Sequence, residues 1–251
     1  MAVPAQLSAE AFLERLHALS SEEQRVQHQR YFKTGKGEYA EGDRFLGVRF
    51  RDVFDLAKEF IELPPPEIDK LLNSPYHEAR AGGLSIMDKQ ARRKKTPESR
   101  RKELYDLYLQ RHDRINNWDL VDAAAPHVIG RYLQDKPRDI LYTLARSPSL
   151  WERRTAMVST LYLIREGDMD DAFRIAGLLL HDDQDLIHKA VGWALRAAGD
   201  SDRPRLLAFL DRHAATMPRT ALRYAVEHLE PDLRRHYMGL KKAPANQPPV
   251  K

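Results

Sequence analysis

Ser147–Met169, SPSLWERRTAMVSTLYLIREGDM, is the stretch whose reading decides the fold class. The connector Ser147-Pro148-Ser149 interrupts the chain, apolar residues recur at helical spacing from Leu150 to Arg165, and Gly167-Asp168 ends the run. The same pattern extends in both directions. Downstream it predicts helices over Met169 to Leu180, Gln184 to Ala197, Arg203 to Arg212, Pro218 to His228 and Pro231 to Tyr237, with Gly199-Asp200-Ser201-Asp202 as a connector. Upstream it predicts Phe50 to Glu62, Pro66 to Leu72, Tyr76 to Lys89, Glu98 to Arg111, Val121 to Leu133 and Arg138 to Ala145. Near the start, Ser8 and Ser21 have the character of N-caps for helices reaching about Leu19 and Phe32, and Phe12, Leu13, Leu16 and Leu19 mark the apolar face of the first.

Convincing alternating strands are absent, so the chain reads as all-α. Successive short helices pair into units of roughly 35 to 40 residues, the length of HEAT-like repeats. The expected architecture is a curved α-solenoid whose concave surface suits an extended partner. A compact helical bundle competes, but it would use fewer and longer helices. A single domain over 1–238 is expected, with a disordered tail from 239 to 251, because Lys241 to Lys251 holds three prolines and little apolar content.

Composition narrows the chemistry. With 251 residues the chain can bury a substantial core, and with no cysteine it excludes disulfides, thiolate catalysis and metal sites built on sulfur. No run of about 18 apolar residues occurs, and Met1 to Leu7 lacks the basic-then-apolar order of a signal peptide. The expectation is a soluble cytoplasmic protein, nucleoid-associated if bacterial. A net charge of +4 and a pI near 9.2 permit nucleic acid without requiring it. The charge is concentrated, since Lys89, Arg92, Arg93, Lys94, Lys95, Arg100, Arg101 and Lys102 face only Glu98 within their window. On charge alone a solvated helix-loop-helix surface explains that run as well as a binding patch does. The ten histidines form no H-E-x-x-H or comparable cluster, so neither a metal nor any other cofactor is expected.

Chemistry concentrates in Asn116-Asn117-Trp118-Asp119-Leu120-Val121-Asp122. Trp118 and Asp122 stand four apart where a helix would start, on one face of it. Asp119 points elsewhere and suits the helix dipole as an N-terminal charge. A carboxylate beside an aromatic plate can hold a transient cation. Farther along, Lys189, Trp193 and Arg196 share one face by spacings of four and three. On residue type alone core packing is the better explanation of both tryptophans, and an amphipathic helix with a snorkelling lysine would explain the strip as well. The stretch Lys33 to Arg44 contains glycines that could cradle phosphate. However, it follows a helix and lacks the G-K-[ST] ending of a P-loop, so it reads as a loop beside the groove.

The chain resembles the DNA alkylation repair enzymes of the AlkD type, which are HEAT-like-repeat DNA glycosylases. The residues that carry the resemblance are Arg30-Tyr31-Phe32, Phe45-Leu46-Gly47-Val48, Trp118-Asp119-Leu120-Val121-Asp122, Leu150-Trp151-Glu152-Arg153-Arg154-Thr155-Ala156 and Lys189-Ala190-Val191-Gly192-Trp193-Ala194-Leu195-Arg196, in that order over about residues 22 to 237. The resemblance implies Asp122 as the catalytic carboxylate, Trp118 and Trp193 as aromatic walls around the lesion's deoxyribose, and Arg154 as a phosphate contact. It implies Tyr31 as the N-terminal active-site tyrosine, with Tyr39 as the alternative because the glycine-containing loop falls between Tyr31 and Phe45. Lys189 and Arg196 complete the expected DNA-facing strip.

The implied activity is monofunctional hydrolysis of the N-glycosidic bond of cationic alkylpurines in duplex DNA. The damaged nucleotide would not be drawn into a protein pocket, unlike the usual extrusion strategy. The expected protein is a monomer with no membrane or metal partner. Two other readings compete: a catalytically silent binder of bent or branched DNA, and a protein-binding solenoid scaffold. A pure binder has no need of a carboxylate facing phosphate, and a scaffold would present an apolar or acidic groove.

Overall fold

The computed structural model describes residues 7–240, and among these no strand occurs. Fourteen α-helices are present among the described residues. They are α1 Ala9–Ala18, α2 Glu22–Tyr31, α3 Phe50–Glu59, α4 Pro65–Leu72, α5 His77–Arg92, α6 Glu98–Gln110, α7 Trp118–Ala125, α8 Asp139–Ala145, α9 Leu150–Arg165, α10 Asp170–Leu178, α11 Asp185–Ser201, α12 Arg203–His213, α13 Arg219–Ala225 and α14 Pro231–Gly239. The all-α solenoid class expected from the sequence is the class observed. The expected caps are in place: Ser8 Oγ accepts from the Ala11 amide at 3.2 Å and Ser21 Oγ from that of Gln24 at 3.5 Å.

Several boundaries differ from the sequence reading, most of all around α7 and at the end of α11. The helix predicted from Val121 to Leu133 begins earlier, at Trp118, because Asn117 Oδ1 accepts the Trp118 amide at 2.8 Å. It also breaks at Pro126, which has no N–H to offer the Asp122 carbonyl, and the chain takes a wide π-type turn over Pro126–Gly130. The connector expected at Gly199 to Asp202 is mostly helix: α11 runs to Ser201, held by burial of Ala198, and Asp202 caps α12 by accepting the Arg205 amide at 3.1 Å. Gly239 closes α14, and Lys241–Lys251, expected to be disordered, lies outside the described residues.

The chain divides after Arg138 into two compact units. In the first, α5 is the buried spine, with α3, α4, α6 and α7 packed around it. Helices α5 and α7 run side by side in one direction. His77 at the start of α5 meets Asp119 at the start of α7, and Asp88 near the end of α5 meets His127 just past α7. In the second unit α9, α11 and α13 pack in succession, with α8, α10 and α12 against them. Gly192 permits the α11–α13 contact, since a Cβ there would lie 2.5 Å from the Ala221 carbonyl oxygen.

Candidate functional site

In the first unit the site grows from a stack of rings. Phe45 lies parallel to Phe32 with centroids 5.2 Å apart, and Phe32 lies parallel to Trp118 at 5.8 Å. Phe32 and Phe45 are buried, whereas Trp118 at the end of the stack is half-buried. Tyr31, the last residue of α2, is 64% exposed and presents its ring edge-on to Trp118 at 6.0 Å. Tyr39 packs against the same cluster, and its hydroxyl accepts the Trp118 Nε1–H at 3.3 Å. Both tyrosines suggested by the sequence therefore border Trp118. Asp122, half-buried, follows one turn later on α7 and shares the Trp118 face.

Behind the rings lies a charged layer that sequence reasoning missed. His77 is wholly buried, its Nε2 2.8 Å from Asp119 Oδ2 and its Nδ1 3.0 Å from Asp43 Oδ2. Arg80, also buried, donates to Asp43 Oδ1 at 2.5 Å, to Asn116 Oδ1 at 3.2 Å and to the Ser74 carbonyl at 3.2 Å. Burial works against a charged His77 ring, but the Asp119 carboxylate, by charge and hydrogen bond, and Asp43 together raise its pKa to about 9. Burial also works against an ionised Asp43, yet the His77 hydrogen bond and the Arg80 charge hold it down at about 2. Asp119, expected to be a helix-dipole charge, thus has a tertiary partner as well. No periodicity could reveal these pairs, because the partners stand 34 to 42 residues apart.

A second buried carboxylate shapes the rim. Glu78 is fully buried and accepts the amides of Leu46 and Gly47 at 2.9 Å and of Val48 at 3.3 Å, with His28 Nδ1 at 3.2 Å. Its burial opposes ionisation, and the His28 and backbone hydrogen bonds more than offset that, so its pKa is lowered. Gly47 is required there: its φ is +81°, and a Cβ would sit 2.0 Å from the Ser21 carbonyl oxygen.

The other expected residues belong to the second unit. Arg154 on α9 is only 5% exposed and donates to the Leu186 carbonyl. Lys189, Trp193 and Arg196 are each half-buried on α11. Lys189 pairs with Asp185 at 2.9 Å, and Arg196 pairs with Glu227. The basic run between α5 and α6 is largely engaged locally. Arg92 pairs with Asp88, Arg93 with Glu62, Arg100 with Glu103 and Lys102 with Asp106, while Arg101 donates to the Ala91 and Arg93 carbonyls. Among the described residues no group of three His, Asp or Glu could hold a metal ion.

The solved structure of a protein described as a predicted DNA alkylation repair enzyme from Enterococcus faecalis superposes with a TM-score of 0.67 at 16% identity, covering 84% of this chain and 97% of that one. At that identity the likeness concerns the fold. No curated protein matches the sequence. The sequence model of the DNA alkylation repair enzyme family matches residues 12–229, a span that takes in Tyr31, Trp118, Asp122, Arg154 and Trp193. By that match over most of its length, the chain belongs to the DNA alkylation repair enzyme family.

Proposed function

We propose that this protein is a monofunctional DNA glycosylase that hydrolyses the N-glycosidic bond of cationic alkylpurines, 3-methyladenine and 7-methylguanine, in duplex DNA. The observation that carries the reading is the pairing on α7 of a half-exposed indole with a carboxylate one turn away on the same face. An N3- or N7-alkylated purine already carries positive charge, so its bond to the sugar is weakened and the departing base needs little protonation. What remains is a deoxyribose with oxocarbenium character. Asp122 stabilises that charge near C1′ and orients the attacking water, while the face of Trp118 adds cation–π attraction.

The base leaves neutral with the bonding electron pair, water forms the new C1′–O bond and gives up one proton to solvent, and an abasic site results. No lysine nucleophile enters. Tyr31, Lys189 and Arg196 contact the duplex backbone, the two cations exchanging their carboxylate partners for phosphates. Arg154 is the most demanding assignment, since a phosphate must reach a guanidinium that also supports Leu186. The damaged nucleotide stays outside any enclosing pocket.

The test is base release from methylated duplex DNA by the purified protein, with lesions compared. Cationic 3-methyladenine and 7-methylguanine are released; neutral hypoxanthine, uracil and ethenoadenine are not, because no acid of the site protonates them. Cationic adducts bulkier than methyl are tolerated. Asp122→Asn lowers excision on the order of a hundredfold or more and leaves duplex affinity near normal. Release of neutral bases at comparable rates, or normal excision by Asp122→Asn, overturns the reading.

A further inference from the structure

The loop between α2 and α3 is folded onto the candidate site at two points. Its own turns are closed by short contacts: the Gly35 amide donates to Glu38 Oε2 at 2.9 Å, the Gly37 amide to Glu41 Oε2 at 2.7 Å and the Ala40 amide to the Lys33 carbonyl at 3.3 Å. From that frame Tyr39 extends its hydroxyl to the Trp118 indole N–H. Asp43 leaves the other end of the loop, and its side chain, 4% exposed, holds His77 and Arg80. The neighbouring Arg44 carbonyl accepts the His77 amide at 2.8 Å.

His77 in turn grips Asp119, and Arg80 grips Asn116. Trp118 lies between those two residues in sequence. The indole is therefore constrained from its tip by Tyr39 and from its backbone on both sides by groups that answer to Asp43. Indole rotation about the Cα–Cβ bond would break the first contact, and a shift of the helix start would break the second.

We propose that this loop presets Trp118 for the reaction, with Tyr39, Asp43 and His77 as positioning residues: Tyr39 fixes the plane of the indole, and Asp43 through His77 fixes the turn from which the indole and Asp122 project. The proposal rests on the glycosylase reading above. Cation–π attraction falls away when the ring no longer presents its face, so the orientation of Trp118 governs the transition state more than it governs binding of the duplex.

Tyr39→Phe is the decisive variant, because it keeps the packed ring and removes only the oxygen. The measurements are the single-turnover rate of 7-methylguanine release at saturating protein, the Kd for the same duplex, the melting temperature, and the ¹⁵N-detected indole N–H resonance of Trp118, identified by its loss in Trp118→Phe. Expected are a shifted Trp118 resonance, a rate about five- to tenfold lower, as one neutral hydrogen bond can account for, and an unchanged Kd. Asp119→Asn, which weakens the hold of His77 on the turn, should lower the rate in the same way with Kd unchanged. A purely structural loop would lower the melting temperature and leave the rate alone. If the wild-type protein excises 7-methylguanine and Tyr39→Phe does so equally fast, or the Trp118 resonance does not move, the positioning role is overturned while the glycosylase reading stands. If the wild-type protein releases no cationic base, both fall together.

Discussion

His77 carries a proton that its surroundings hold tightly, and this makes a single residue visible in the stability of the protein. Its folded pKa of about 9 stands above the ordinary value of 6.5 because Asp119 and Asp43 favour the charged ring more than burial disfavours it. A group raised in this way stabilises the fold fully below its unfolded pKa and loses that contribution as pH rises through the folded one. The window is therefore about pH 6.5 to 9, and the contribution at stake is on the order of 3 kcal/mol. Urea denaturation between pH 6 and pH 10 should show the midpoint falling across that window. Asp119→Asn should flatten the decline, and an unchanged slope in the variant would mean that the ring is not held by Asp119. Asp43, lowered to about 2, contributes in the opposite direction: its stabilisation is present above the ordinary carboxylate range and is lost only as pH drops towards 2.

At the level of elements, what could be read from the sequence follows the range of the interaction. Ser8 and Ser21 act on amides three residues away, so their caps were legible, as was the entire course of α9 from Leu150 to Arg165. The four-residue spacing of Trp118 and Asp122 was legible for the same reason. The loop from Phe45 to Val48 was legible only as a motif. Its shape depends on Glu78, some 30 residues onward, whose carboxylate takes three of its amides. The partnership of Asp43, His77 and Asp119 is likewise tertiary, and no window of sequence contains it. Glu78→Gln tests how much the loop owes to this long-range partner. The amide NH₂ would face donors instead of accepting from them, so the variant should lose about 2 kcal/mol or more in chemical denaturation. A loss within a few tenths would show the loop to be self-supporting.

On the scale of the whole molecule, several cations of the described residues stand in local ion pairs, among them Arg92, Arg93, Arg100, Lys102, Lys189 and Arg196. Binding to duplex DNA should weaken as salt rises with a modest slope, because phosphates must displace the paired carboxylates and few contacts result. Arg196→Ala should lower that slope by about one. Glu227→Gln removes the carboxylate that competes with phosphate for Arg196, so it should tighten binding at low salt; equal affinity would place Arg196 outside the interface. The Glu78 clamp also carries a consequence for how the first unit opens. The amides of Leu46, Gly47 and Val48 belong to no helix, yet a buried carboxylate holds all three on the spine helix. In deuterium exchange this loop should be as slow as helical interior, because its protons reach solvent only when α5 itself comes loose.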